Sequence, residues 1–260
     1  YKVAEFSSLY ELCSNYINNL SEKVAITKAI IGVAAPVTDD SISFVNIDLS
    51  FSQRKIKELL FPDGLVVLND MALQAHSLIE PFSGEIINVG SCGSPGGGSK
   101  ILIIPGTGLG LAGIVNGSVV SSEAGHVEIP SILNNKDINK IIDKFKKENS
   151  RSPTFEDLLS GKGINFIYRN LSGNNYFNTS DGDIFISNDK FAVVTIKLFI
   201  NLFAVYLRYM TLEWNATGGV YISGNIVNSM MTRLDQVKFR EIFEDSNTMK
   251  EFLIASPIYY

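Results

Sequence analysis

Apolar residues recur along this chain with two spacings, one typical of amphipathic helices and one of short strands. In the first third, helical spacing begins behind the capping box Ser8-x-x-Glu11 and returns in two further segments. Short apolar runs lie between those segments. The pattern predicts helices at residues 9–20, 53–60 and 71–79, and strands at residues 1–6, 29–35, 41–47 and 65–68. Because strands and helices alternate, this part belongs to the α/β class.

The rest of the chain begins with closely spaced apolar runs and becomes mainly helical. It predicts strands at residues 101–104, 111–115, 119–120 and 218–224, and helices at residues 138–148, 155–159 and 164–171. A long helix that ends at Trp214 is expected to be capped by Ser187 or Asn188. Segments rich in glycine, serine and asparagine predict loops at residues 91–99 and 173–183. We expect a small α/β domain at residues 1–82 and a large one at residues 83–260.

The long helix is apolar enough to suggest a membrane span at residues 191–212. Lys197, Asn201 and Arg208 interrupt that stretch, and a charged side chain near the middle of a bilayer is costly. A helix in the core of a globular domain is the favoured interpretation, and we expect a protein that does not bind membranes.

Composition narrows the class of protein further. The 260 residues are 45% hydrophobic and 19% charged, as in a globular protein. A net charge of −5 provides no basic field for nucleic acid. Two cysteines, Cys13 and Cys92, predict no disulfide framework, which favours the reducing cytoplasm. The scattered cysteines and histidines lack the paired spacing of a zinc site, so no protein-bound metal is predicted.

A glycine-rich turn separates the first two strands of the second part. Gly106, Gly108 and Gly110 allow a ligand to approach the backbone closely, which suits an anionic phosphate. Gly108, Gly110 and Gly113 also satisfy the dinucleotide pattern G-x-G-x-x-G, but β-branched residues and the turn dipeptide Asn116-Gly117 follow them instead of a helix. A phosphate-binding hairpin is favoured over a dinucleotide site, with a structural turn as the remaining alternative.

Four polar residues are candidates for chemistry. Asp70 lies where a strand meets a helix, the edge at which α/β sheets carry their sites. The alternative is an ordinary helix N-cap, unless Asn69 caps the helix and Asp70 points into a cleft. Glu123 and His126 follow the glycine hairpin directly, although a solvated carboxylate and a structural histidine remain alternatives. Glu156 lies in the first turn of a helix, where the helix dipole favours a carboxylate for structural reasons alone.

Taken together, these motifs resemble those of the bacterial glucokinase family. The resemblance runs nearly end to end and rests on four motifs in order: Leu68-Asn69-Asp70, Gly106-Thr107-Gly108-Leu109-Gly110, Glu123-Ala124-Gly125-His126 and Glu156-x-x-x-Ser160-Gly161. It implies an actin-like, ribonuclease-H-like sugar-kinase fold, in which a small and a large α/β domain close on the substrates across an interdomain cleft.

The resemblance also implies a function and a role for each site residue. The expected reaction is the ATP-dependent phosphorylation of glucose at the 6-hydroxyl, in the cytoplasm, by a homodimer that uses ATP and Mg²⁺. Asp70 is expected to be the catalytic base. The residues expected to bind sugar hydroxyls are Asn46, Asn69, Asp70, Glu123, His126 and Glu156. Those expected to contact the nucleotide are Gly106, Thr107, Gly108, Gly110, Gly219 and Gly224.

Two parts of the family pattern are not found within residues 1–260. The first phosphate loop of the family, Asp-x-Gly-Gly-Thr-Asn, is expected before position 1, and its closing helix after position 260. Two alternatives therefore stay open: a kinase of another hexose, and a sugar-binding protein without catalysis.

Overall fold

The computed structural model describes residues 3–21, 25–44, 47–79, 86–91, 93–130, 135–173 and 180–260. The chain divides into two compact units, Tyr1–Ser77 and Leu78–Tyr260. Both units combine strands with helices, which confirms the α/β class.

The first unit contains a parallel strand pair and a short antiparallel pair. Its elements are, in order, α1 Leu9–Asn18, β1 Lys28–Val33, β2 Ser41–Ser43, β3 Ser50–Ser52, α2 Gln53–Leu60, β4 Gly64–Asn69 and α3 Asp70–Ala75. β1 runs parallel to β4, and β2 pairs antiparallel with β3. The last residue of β1, Val33, lies opposite Asn69, so both parallel strands end at the edge where α3 begins.

The second unit is built on a five-stranded sheet with the order β7-β6-β5-β8-β9. These strands are β5 Lys100–Pro105, β6 Leu109–Val115, β7 Ser118–Ser122, β8 Gly219–Ile222 and β9 Ile258–Tyr259. β5, β6 and β7 form an antiparallel meander, whereas β8 and β9 join parallel to β5 and to each other. The hairpin turn at Asn116 and Gly117 has positive φ at both residues, as the dipeptide predicted.

In the described part of the second unit, eight α-helices follow or connect these strands: α4 Lys136–Asn149, α5 Phe155–Leu158, α6 Gly161–Ser172, α7 Asp181–Ile186, α8 Lys190–Glu213, α9 Asn225–Met231, α10 Gln236–Phe243 and α11 Lys250–Ala255. Within the described ranges, α8 is the one helix long and apolar enough to cross a membrane, and 61% of its apolar window is buried inside the protein. Phe199, Phe203 and Tyr206 on α8 are fully buried. The prediction of a core helix is therefore confirmed.

Several sequence predictions were wrong in detail. Residues Val3–Glu5 form a single turn of 3-10 helix rather than a strand. In a complete capping box, the Glu11 carboxylate would accept from the N–H of Ser8. It accepts instead from the N–H and the hydroxyl of the preceding residue, Ser7. The cap of α8 is Asp189, because its carboxylate accepts from two backbone N–H groups of the first turn.

Short elements account for the remaining differences. α7 begins inside the predicted loop at residues 173–183, and α10, α11 and β9 were not predicted. Each has too few residues to show a clear period on its own. Residues 91–99 contain no helix or strand where they are described, as expected, yet Gly96 and Gly98 donate hydrogen bonds to Thr217 at 2.7 and 3.0 Å.

Some predictions concern residues outside the described ranges. These are the sugar contact at Asn46, the end of the strand at residues 41–47, most of the loop at residues 173–183 and the boundary near residue 82. β2 ends at Ser43, within the described part.

Candidate active site

The glycine turn joins β5 to β6 and is held from both sides. The N–H of Gly106 donates to the carbonyl oxygen of Gly108 at 2.8 Å. The carbonyl oxygen of Gly106 accepts from the N–H of Gly161, at the start of α6, at 2.9 Å. The N–H of Leu109 donates to Oε2 of Glu156 at 2.9 Å. The turn therefore has a fixed shape that depends on two distant helices.

Two amides in this turn remain available to a ligand. Among the described residues, neither the N–H of Thr107 nor that of Gly108 donates a hydrogen bond. A Cβ built on Gly106 would have no atom within 4 Å, so the space beside it is open. The strand β6 follows the glycines directly, so the helix that a dinucleotide site requires is absent from this position and that alternative is wrong. Free amides at a glycine turn are the groups that bind a phosphate.

Glu123, His126 and Glu156 converge beside the turn. Nε2 of His126 lies 3.7 Å from Oε2 of Glu123, and Nδ1 of His126 lies 4.0 Å from Oε1 of Glu156. The side chains of Glu123 and His126 are 77% and 59% exposed, whereas that of Glu156 is 33% exposed. Their polar atoms face one another and remain accessible, which suits hydrogen bonding to a hydroxyl-rich ligand.

The helix that carries Glu156 is fixed by a complete capping box. Thr154 accepts from the N–H of Asp157, and the Asp157 carboxylate accepts from the N–H of Thr154. Arg151 donates two hydrogen bonds to the same carboxylate, at 2.6 and 2.8 Å. Burial raises the pKa of Asp157, but the hydrogen bonds from Arg151 and Thr154 outweigh it, so the pKa lies below its ordinary value. This anchor was not predicted from the sequence, although Thr154-x-x-Asp157 carries its signal.

The structure separates Gly219 from Gly224, two of the glycines expected to contact the nucleotide. Gly224 lies near the turn, because a Cβ there would be 2.9 Å from Ile104 and 3.4 Å from the carbonyl oxygen of Pro105. Gly219 pairs with Lys100 at the opposite end of β5. Its φ of +125° and the rings of Tyr221 and Tyr259 account for a glycine there without any ligand.

Asp70 occupies the first position of α3, and Asn69 is the cap of that helix. The side-chain oxygen of Asn69 accepts from the N–H groups of Met71 and Ala72 at 3.0 and 3.3 Å. The interpretation of Asp70 as the N-cap is therefore wrong. Oδ1 of Asp70 accepts from the N–H of Met71 at 2.9 Å, and its other oxygen has no hydrogen bond within the described part of the chain. Gly32 lies beside the start of α3 and leaves room for the side chain of Leu73, since a Cβ there would lie 2.7 Å from Cδ2 of Leu73.

Known proteins resemble this chain in both sequence and fold. The sequence model of the glucokinase family matches residues 1–260. A glucokinase of Hahella chejuensis (strain KCTC 2396) is 26% identical over 266 residues, which cover 98% of this chain and 81% of that protein. The crystal structure of a glucokinase from an Antarctic psychrotroph has a TM-score of 0.83 at 23% identity, over 100% of this chain and 83% of the other. A ROK family glucokinase from Streptomyces griseus, solved with glucose and AMPPNP, has a TM-score of 0.62 at 15% identity, over 95% and 85% of the two chains.

The agreement in fold shows that this chain has the actin-like, two-domain fold, as the motifs implied. Within that class, the match over its whole length decides the family: the chain belongs to the glucokinase family. It is an enzyme, a kinase that phosphorylates a sugar with a nucleoside triphosphate as the donor.

Proposed function

We propose that this enzyme transfers the γ-phosphoryl group of ATP to the 6-hydroxyl of glucose, and that it does so in the cytoplasm as a homodimer. The observation that carries this proposal is the convergence of Glu123, His126 and Glu156 on one side of a turn that presents two unpaired amides. Carboxylates and an imidazole suit sugar hydroxyls, and the amides suit a phosphate. A kinase needs both groups side by side.

The sugar side of the site would select its substrate by matching hydroxyl groups. We assign Glu123, His126 and Glu156 to the hydroxyls of glucose, together with Asn69 and Asn46. A site built to hydrogen-bond a hydroxyl rejects an analogue that lacks it, because its buried polar groups then remain unpaired. Glu156 is the least exposed of the three converging residues, so it would contribute most to this selection.

The nucleotide side would use the amides of Thr107 and Gly108 and the open space beside Gly106. Gly110 follows in β6, opposite Ile104, and Gly224 borders the same end of the sheet. Gly219 is left out of this assignment, because it lies at the other end of β5.

Mg²⁺ would enter with the nucleotide. The described residues include no group of three or more histidine, cysteine or acidic side chains able to hold a metal. Such a group is not required, because Mg²⁺ keeps several waters and binds through substrate phosphates and one or two carboxylates. Asp181 is suited to provide such a carboxylate. A Cβ built on Gly161 would lie 3.4 Å from Oδ2 of Asp181, and the N–H of Gly161 donates to the carbonyl oxygen of Gly106 in the glycine turn. When bound, the ion would neutralise charge on the phosphates.

Asp70 would act as the general base. As the bond between O6 of glucose and the γ-phosphorus forms, the hydroxyl proton passes to the Asp70 carboxylate. The bond between the γ-phosphorus and its bridging oxygen breaks, and ADP leaves. Asp70 is suited to this role because Asn69 serves as the cap, which leaves one carboxylate oxygen unpaired within the described part of the first unit. A positioned base contributes ~10²–10⁴-fold to the rate.

The decisive experiment compares the full-length enzyme with Asp70→Asn in a coupled assay of ADP release. We expect kcat to fall by ~10²–10⁴-fold, with glucose affinity and thermal stability nearly unchanged. Asp63→Asn is the matched control, because Asp63 is exposed and precedes the opposite end of β4. Substantial residual turnover in Asp70→Asn would exclude the base role. A panel of hexoses in the same assay tests the choice of glucose, and no turnover with any of them would support a non-catalytic protein.

A further inference from the structure

We infer that position 108 is a glycine because the carboxylate of Glu156 occupies the space that a side chain would need. Through this contact, Gly108 and Glu156 position the sugar-binding side chains beside the glycine turn. Gly108 would then serve glucose binding, although it lies in the motif expected to contact ATP. The inference rests on the proposed function, because it assigns the two sides of the site to sugar and nucleotide.

The first argument is the space around Gly108. A Cβ on Gly108 would lie 2.6 Å from Oε2 and 3.2 Å from Cδ of Glu156, closer than real side-chain contacts. Gly108 does not have positive φ, so its backbone conformation does not call for glycine. A side chain at this position would therefore have to displace the carboxylate of Glu156.

The second argument is the link through Leu109. Oε2 of Glu156 accepts from the N–H of Leu109, and a Cβ on Gly125 would overlap the carbonyl oxygen of Leu109. The N–H of Leu109 is thus bound by α5, and its carbonyl oxygen packs against the loop that carries Glu123 and His126. The buried residue Leu109 therefore links the glycine turn to the segments that carry Glu123, His126 and Glu156.

The third argument is the contrast with Gly106 in the same motif. Gly106 also lacks positive φ, but a Cβ there would meet nothing within 4 Å. Among the described residues, no protein atom therefore requires glycine at position 106. A ligand that approaches the backbone closely would require it. The two glycines have different roles: Gly106 leaves room for the nucleotide, and Gly108 leaves room for Glu156.

Alanine at either position separates these roles. In Gly108→Ala, the three atoms nearest the new methyl group all belong to the carboxylate of Glu156, the end of a flexible side chain, so we expect the protein to fold. Glu156 must swing away and lose its bond to Leu109. Loss of one charge-assisted hydrogen bond should lower glucose affinity by roughly tenfold or more.

Calorimetric titration of the full-length protein with glucose and with AMPPNP measures the two affinities separately. We expect Gly108→Ala to weaken glucose by roughly tenfold and AMPPNP by less than about threefold, and Gly106→Ala to do the reverse. If Gly108→Ala weakens AMPPNP and leaves glucose binding intact, Gly108 is a phosphate contact only, and the inference is overturned.

A double-mutant cycle with Glu156→Ala keeps the inference testable even if a single variant is unstable. Without the carboxylate, alanine at position 108 has nothing to displace, so Gly108→Ala should cause no further change in glucose affinity or melting temperature. Additive effects would contradict the coupling. A wild-type enzyme that neither binds nor phosphorylates glucose would instead refute the proposed function, while the melting temperatures would still report on the contact.

Discussion

The parallel pair of β1 and β4 in the first unit and the five-stranded sheet of the second unit differ in how deeply they are buried. In the first unit, β1 and β4 pair only with each other within the described ranges. The paired residues Ile30 and Val66 are 64% and 49% exposed, so one face of the strand predicted at residues 29–35 is not buried. In the second unit, β5 has neighbours on both sides, and Ile101 and Ile103 are fully buried. A strand is buried throughout only when other elements cover both of its faces.

The candidate site residues differ in the same way. Asp70 is placed by its immediate neighbours, through the Asn69 cap and the ends of two paired strands. Glu156 is placed by tertiary contacts, through Leu109, the Asp157 capping box and Arg151. The placement of the proposed base therefore depends on local structure, whereas that of Glu156, one of the proposed sugar ligands, depends on contacts between distant segments of the second unit.

The largest expected effect tests the difference in burial. Phe203→Ala removes a fully buried ring from α8 and should lower the free energy of unfolding by about 3–5 kcal/mol. Ile30→Ala is the matched variant on the exposed face and should cost less than about 1 kcal/mol. Denaturant unfolding measures both. Equal losses of unfolding free energy in the two variants would mean that another element covers the face of β1 and β4 that carries Ile30.

A smaller effect tests the local placement of Asp70. Asn69→Ala removes two hydrogen bonds at the start of α3 and should cost about 1 kcal/mol of stability. Hydrogen exchange at the amides of Met71 and Ala72 should rise, because they lose their acceptor. Asn69→Asp keeps a capping oxygen and should restore their protection. Unchanged exchange in Asn69→Ala would show that contacts other than the cap place Asp70.

The smallest effect is the pH dependence of the α5 anchor. Because the pKa of Asp157 is lowered in the folded protein, its contribution to stability is present above its ordinary value of 3.8 and is lost as pH falls through the lowered value. Asp157→Asn should therefore cost up to about 1 kcal/mol at neutral pH and progressively less in acid.

The pH dependence is measured by denaturant unfolding of both proteins between neutral pH and pH ~3, the range in which an aspartate titrates. Asp137→Asn is the control, because its carboxylate pairs with Lys140 on the exposed surface of α4. A stability difference between Asp157→Asn and wild type that does not change with pH would mean that the carboxylate does not provide the anchor through its charge.

Much of the fold was predictable because its signals are local. The helix at residues 53–60 agrees with α2 at both ends, and the Asn116-Gly117 turn has the expected backbone. Helix ends were less predictable, since several polar residues near position 189 could each cap α8. Short elements such as β9 were missed, because a two-residue strand exists only through its pairing with β8.

The sequence by itself determined the α/β class, the glycine turn, the boundary of strand and helix at Asp70 and the family motifs. Each of these depends on residues that lie close together in the sequence. Only the tertiary structure decided that Glu156 accepts a hydrogen bond from Leu109 across 47 positions, that Gly219 pairs with Lys100 at the end of β5 away from the glycine turn, and that Gly106 and Gly108 have different surroundings. The physical reason is that contacts between distant segments depend on how the elements pack, which no local pattern of residues records.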